Sequence, residues 1–295
     1  MNQLTVLSLF KPLIPLIISL LASMSVSAQK NGGLYLIKDV FEFGIQGGGA
    51  VYFGDLNTSS DFSQIKPGGG AYSRINFNDR IAIKVSAFAG QVAYSDRLNS
   101  NPYQKARNIS FRSNIYEGTG QLEFNFFPFK KGSSRDFFSP YMLMGATLAR
   151  INPQAFDSTS GEWIDLIPLG TEGQKSATIS YRGENYAEMQ PAFSIGGGLK
   201  YSLSPNLSID LECNYKAMFT DYLDDVSTRY FNYAASGPLT QQFADPSDGT
   251  DPAKVGIPGK LRGDRVDNDS YMTISLGFSF TFRTSHCPPP SNKGF

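Results

Sequence analysis

The sequence predicts an all-β protein, an eight-stranded antiparallel transmembrane up-and-down β-barrel of the outer-membrane type. Three observations predict it. Several segments alternate apolar and polar residues for about ten positions or more, the length a tilted strand needs to cross a bilayer. The links between these segments alternate between long and short. The chain is rich in Phe, Tyr and Gly (23, 15 and 29). After its N-terminal stretch it has no apolar run of about 18 residues.

The N-terminus carries one basic residue, Lys11, an apolar run from Leu13 to Leu21, and the small-residue sequence Val26-Ser27-Ala28. That order predicts a secretory signal peptide over 1–28, cleaved before Gln29. A short periplasmic segment is expected over 29–39, a barrel over 40–283 and a periplasmic tail over 284–295. Without Lys11, the 26 basic residues become 25 against 26 acidic ones, so no basic excess points to nucleic acid. Cys213 and Cys287 lie in different kinds of segment, and no disulfide is expected between them.

The last segment is the clearest strand. Met272, Ile274, Leu276, Phe278, Phe280 and Phe282 share one face, opposite Tyr271, Thr273, Ser275, Gly277, Ser279 and Thr281. Residues 207–216 place Leu207, Ile209, Leu211, Cys213 and Tyr215 opposite Ser208, Asp210, Glu212, Asn214 and Lys216. Alternation recurs over 192–203 and 118–127, and more weakly over 40–53, 69–77, 81–94 and 140–151, giving eight strands.

Tight turns fall at 78–80 and 204–206, with an intermediate link at 128–139. Long links span 54–68, 95–110, 152–187 and 217–268. Outer-membrane barrels put long loops outside and short turns in the periplasm. A secreted β-sandwich shares much of this composition but has no reason to alternate its links this way. The polar faces carry Arg74, Lys84, Glu123, Lys200, Asp210, Glu212 and Lys216. An eight-stranded barrel is just wide enough for side chains to fill, so a plugged, salt-bridged lumen is expected. Interfacial girdles are expected from Tyr52, Phe53, Phe126, Phe127, Phe137, Phe138, Tyr141, Tyr271 and Phe282.

Chemistry-bearing motifs are sparse. The one histidine, His286, lies beyond the last strand, which argues against a barrel enzyme with a histidine general base. With Cys287 it is too small a set for zinc. The triplets Gly47–Gly49, Gly68–Gly70 and Gly196–Gly198 lack the context of a phosphate-binding loop; they are expected to relieve crowding between strands. Asp245, Asp248, Asp251, Asp264, Asp267 and Asp269 do not match calcium-loop spacing, and a solvated acidic loop is expected. No cofactor is implied.

Several strings near the links carry a resemblance. They are Tyr52-Phe53-Gly54-Asp55-Leu56-Asn57, Arg107-Asn108-Ile109-Ser110-Phe111-Arg112-Ser113, Ser139-Pro140-Tyr141, Ile151-Asn152-Pro153, Leu169-Gly170-Thr171-Glu172-Gly173-Gln174, and Phe219 through Ser227 (FTDYLDDVS). In this order the chain resembles the small outer-membrane β-barrel family of Bacteroidota that includes PorG, the barrel subunit of the type IX (Por) secretion system. The resemblance implies an outer-membrane location and, for the secretion subunit, association with the periplasmic ring proteins PorK and PorN. The insert between about Gly237 and Asp269 departs from that pattern.

The motif residues fall mostly on the long-link side. Asp55, Arg107, Arg112, Glu172, Asp221, Asp224, Asp225 and Arg229 are therefore expected to form a polar network at the outer rim, which either anchors the loops or meets a partner. Lys130, Lys131 and Arg135 in the 128–139 turn, or the tail from Thr284, are the expected periplasmic contacts. Two functions fit: an interaction subunit of type IX secretion, or a stand-alone anchoring or narrow-pore barrel.

Overall fold

The computed structural model describes residues 41–175, 183–247 and 255–281. The expected signal peptide, 29–39 segment and tail lie outside them, as do Asp248, Asp251, Phe282, His286 and Cys287. Eight long strands form the barrel: β1 (Phe41–Phe53), β2 (Lys66–Asn76), β3 (Ile81–Ser95), β4 (Ser110–Asn125), β5 (Phe138–Arg150), β8 (Met189–Ser202), β9 (Leu207–Met218) and β10 (Ser270–Thr281). A short hairpin, β6 (Pro153–Asp157) with β7 (Glu162–Asp165), lies between β5 and β8. Neighbouring strands pair antiparallel in the order β3-β2-β1-β10-β9-β8-β5-β4, and the β3–β4 pairing closes the ring. In β1 and β10, Glu42 pairs with Thr281 at one end and Phe53 with Ser270 at the other. Closure leaves no sheet edge whose N–H and C=O groups would face lipid unpaired.

The alternation is inverted relative to a soluble protein. In β9, Ser208, Asp210, Glu212, Asn214 and Lys216 are buried inside, while Leu211 and Tyr215 are exposed outside. In β10, Thr273, Ser275 and Ser279 are buried and Leu276, Phe278 and Phe280 are exposed. Phe43, Ile45, Val85, Leu122, Met142, Met144, Ile195 and Leu199 continue this outward apolar surface around the ring. A continuous apolar exterior over a polar interior is the pattern that lipid selects. Phe126, Phe127, Phe137 and Phe138 are exposed at the short-turn end, as the girdle reading expects. Tyr52, Tyr141 and Tyr271 are not in a girdle. Each sits on the inward phase of its strand, and each hydroxyl bonds a buried carboxylate.

The tight turns are held by their own side chains. Asn78 Oδ1 accepts from the Arg80 and Ile81 amides at 2.8 Å each. Ser204 Oγ accepts from Asn206 at 3.3 Å and Leu207 at 3.1 Å. β4 starts at Ser110, eight residues before the expected boundary at 118, because Ser110–Glu117 extends the hairpin with β3 beyond the apolar belt. There Phe111 and Ile115 face inward, while Arg112 and Asn114 on the outer face break the apolar alternation that marks a strand in the sequence.

The lumen is filled. Arg74 bonds Glu123 at 2.7 Å, Asp210 at 3.3 Å and Glu42 at 3.4 Å. Lys84 pairs with Glu212 at 2.6 Å, Lys216 with Glu117 at 2.9 Å, and Lys200 with Glu123. All the inward charges expected from sequence are in this network. Inward aromatics need space, and glycine supplies it. A Cβ at Gly44 would lie 2.3 Å from the Tyr72 ring, and one at Gly198 would lie 2.6 Å from the Tyr141 hydroxyl.

Candidate functional site

The long loops do not hang free. They fold over the open end of the barrel as a cap with its own hydrophobic core. Tyr52, Val92, Tyr94, Phe111, Ile115 and Ala149 come from the strand walls, and Leu56, Ile109, Ile151, Leu223 and Val226 come from the loops. The Tyr52 and Phe111 rings meet edge-on with centroids 4.8 Å apart. Two short helices contribute. In α1 (Pro102–Arg107), Asn101 caps the first turn and Asn108 closes the last in the left-handed region, which turns Arg107 inward. In α2 (Pro238–Ala244), Phe243 packs on Ala155 and Leu166 in a smaller cluster beneath the β6–β7 hairpin.

Around this core lies a buried polar network. Arg107 grips Asp96 with two bonds of 2.7 Å and donates to the Arg262 carbonyl at 2.5 Å and the Asp55 carbonyl at 3.2 Å. Arg262 donates to Glu172 at 3.1 Å and to the Asp225 carbonyl at 2.5 Å. Glu172 accepts from the Ser227 amide at 2.9 Å and from the Thr228 amide and hydroxyl. Asp225 has φ 65°, a left-handed conformation that Asp tolerates better than most residues. Across this turn Asp225 accepts from Thr171 and, at 2.6 Å, from Tyr186, while Asp224 accepts from Tyr52 on the barrel wall at 2.5 Å. The network thus ties the β1–β2, β3–β4, β5–β8 and β9–β10 links into one body.

Its electrostatics are one-sided. Burial, reinforced by Asp264 and Glu172, raises Asp55 to about 6 against the pull of Arg107. Burial likewise raises Asp225 to about 6 despite Arg262. Burial and then the Asp55 carboxylate push Asp221 up to about 10. Asp224 and Asp269 are raised well above the ordinary carboxylate range, first by burial and then by neighbouring carboxylates. Among the described residues, no group of three or more Asp, Glu, His or Cys is arranged to hold a metal ion.

Of the expected rim residues, Asp55, Arg107, Glu172, Asp221, Asp224 and Asp225 lie in or against this cap. Arg112 and Arg229 do not. Arg112 faces outward on β4, where its guanidinium stacks 3.8 Å above the Trp163 ring and bonds Gln154 at 2.9 Å. Arg229 is exposed and donates to the Gly259 carbonyl at 2.8 Å. Three members had no sequence signal strong enough to place them: Asp96, Arg262 and Asp269. Asp269 also corrects the reading of its loop as solvated, because it is fully buried against Tyr52 at 3.2 Å and the Leu223 amide at 2.8 Å. At the opposite end, Lys130 and Arg135 are exposed, and Lys130 pairs with Asp79 at 3.0 Å. Lys131 instead turns into the barrel mouth, 3.2 Å from Glu42 and 3.1 Å from Ser279, and offers no surface to a partner.

The fold and its apolar belt define a membrane-spanning β-barrel, closed at one end by packed loops. The chain belongs to the family described as Domain of unknown function (DUF6089), whose profile matches residues 12–160. No curated protein matches the sequence. Among solved structures, the chain is similar to Ail, the attachment invasion locus protein of Yersinia pestis, in complex with the heparin analogue sucrose octasulfate. Identity is 13% and the TM-score 0.40, over 83% of this chain and 100% of that one. It is also similar to Neisserial surface protein A (11%, TM-score 0.39, 82% and 97% covered) and to the outer membrane protease OmpT of Escherichia coli (11%, TM-score 0.36, 85% and 99% covered).

Proposed function

We propose that this protein is a non-enzymatic outer-membrane barrel, exported through a cleaved signal peptide over residues 1–28, that serves as a structural and interaction subunit associated with type IX protein secretion. The observation that carries a non-transport role is the lumen. Arg74, Lys84, Lys200 and Lys216 span it as ion pairs, which leaves interaction surfaces rather than a passage as the means of action. The secretion assignment rests on the motif strings, all but Ser139-Pro140-Tyr141 of which lie in or beside the cap. Lys130 and Arg135 on the opposite rim are the side chains offered to PorK and PorN. A tagged chain purified under mild detergent is expected to recover these ring proteins. Failure to recover them, with normal secretion in a deletion strain, refutes the assignment. The second reading is a stand-alone anchoring barrel, favoured by how firmly Arg107, Arg262 and Glu172 tie the loops to one another. That reading requires secretion to be unaffected by deletion.

A further inference from the structure

The Tyr52 hydroxyl sits where the barrel wall meets the cap. It lies 2.5 Å from Asp224 Oδ2 and 3.2 Å from Asp269 Oδ1, and the Leu56 amide approaches it at 3.4 Å. A phenol has one proton to donate. With both aspartates ionised, one of these oxygen–oxygen contacts is a hydrogen bond and the other is a repulsion. The remaining oxygens are already acceptors: Asp224 Oδ1 takes the Val226 amide at 2.9 Å, and Asp269 Oδ2 takes the Leu223 amide at 2.8 Å. All three side chains are buried, so no bulk water can separate them. A single proton on one carboxyl turns both contacts into hydrogen bonds. From this geometry we infer that Asp224 and Asp269 share a stored proton, which latches the β9–β10 loop to Tyr52 and makes closure of the cap pH-dependent.

The surroundings fit a proton. Facing the pair are Asp55 from the β1–β2 loop, Arg107 from the β3–β4 loop, Tyr186 from the β5–β8 loop and Asp221 from the β9–β10 loop. Asp96, Glu172, Asp225, Tyr230 and Arg262 lie behind these groups and act on them. The two arginines are committed elsewhere, Arg107 to Asp96 and Arg262 to Glu172. Among the described residues no ion pair reaches Asp224 or Asp269, and no metal-ligand geometry exists there. Burial and neighbouring carboxylates both favour the neutral form of these groups.

The test uses the full chain folded in lipid vesicles, followed by hydrogen exchange corrected for intrinsic rates between about pH 5 and pH 9. Protection of the Leu223 and Val226 amides is expected to fall as pH rises, by at most about tenfold per pH unit for one proton, while amides of β9 keep theirs. The Asp269→Asn side chain supplies a permanent donor and is expected to keep the cap protected at alkaline pH. Tyr52→Phe is expected to lose protection at every pH. Infrared spectra of protein labelled at aspartate carboxyls give an independent readout: a protonated-carboxyl band at neutral pH, diminished in Asp269→Asn. Flat protection across the range overturns the inference, as does absence of that band. Suppression of the pH dependence by added calcium also overturns it, because a metal would then be the neutralising group.

Discussion

Replacing Arg74 with Met tests whether the lumen is held by charge. Arg74 is fully buried and bonds three acids at once: Glu123, Asp210 and Glu42. The described lumen holds Glu42, Glu117, Glu123, Asp210 and Glu212 against Arg74, Lys84, Lys131, Lys200 and Lys216, five acids and five bases, all buried. Met keeps the length of the side chain but leaves five acids facing four bases. Removing one partner from a buried ionic set costs about 3–5 kcal/mol, because an uncompensated charge remains in a medium that solvates it poorly. The midpoint of urea unfolding in vesicles, followed by the gel-mobility shift of folded barrels, is expected to fall accordingly. Arg74→Met combined with Glu123→Gln restores the balance and is expected to recover part of the loss. A loss below about 1 kcal/mol for the single variant, or no recovery in the pair, refutes the account of a charge-balanced plug.

Three further outcomes follow from the same geometry. Leu211 faces lipid opposite Leu199 and Leu276, so Leu211→Arg is expected to cost about 2–4 kcal/mol in vesicles, whereas Leu211→Met costs little. Planar-bilayer recordings of the folded protein are expected to show no steady single-channel current; such a current contradicts the filled lumen. Trp163 is the only tryptophan and lies under the Arg112 guanidinium, so Arg112→Met is expected to change its emission while lowering stability by about 0.5–1 kcal/mol or less.

The barrel was legible because lipid imposes a rule that a sequence cannot hide. Strict alternation over β9 and β10 placed each side chain on its face, and link lengths gave the hairpin order. Asn78 and Ser204 mark the turns they cap. What misled was reading aromatics by type. Phe126 and Phe138 do face lipid, but Tyr52, Tyr141 and Tyr271 carry hydroxyls and sit on the inward phase, where buried carboxylates accept from them. The early start of β4 was hidden because Ser110–Glu117 rises above the belt, so Arg112 and Asn114 replace the outward apolar residues. The cap was only half legible. Adjacent motif residues such as Asp224 and Asp225 announced a polar site, but its closure depends on contacts across long sequence separations. Arg262 and Glu172 are 90 residues apart, and nothing local marks Arg262 as the buried partner rather than one more solvated cation.

The cap also yields a prediction that runs against the usual expectation for removing a buried native side chain. The lumen balances its charges; among the described residues the cap buries Asp96, Glu172, Asp221, Asp224, Asp225 and Asp269, with Asp55 partly buried beside them, against two buried cations, Arg107 and Arg262. Asp221 is the least supported of these: among the described residues neither carboxylate oxygen has a well-formed hydrogen bond, and only the Ser227 side chain lies near enough to favour its charge. Its pKa, pushed up to about 10 by burial and the Asp55 charge, means that folding takes up a proton there at neutral pH. The sign follows from linkage. A group whose folded pKa lies above its unfolded value stabilises fully below the unfolded pKa, near 3.8, and that contribution is lost as pH rises through the folded pKa. Asp221→Asn has nearly the same shape and needs no proton. Relative to the native chain, the variant is therefore expected to gain little at about pH 4 and roughly 1–3 kcal/mol at about pH 8, allowing for partial solvent screening. Denaturant midpoints of the two proteins at both pH values decide it. A difference that does not grow with pH, or an Asn variant that is weaker throughout, means that Asp221 is ionised and held by a contact the present geometry does not contain.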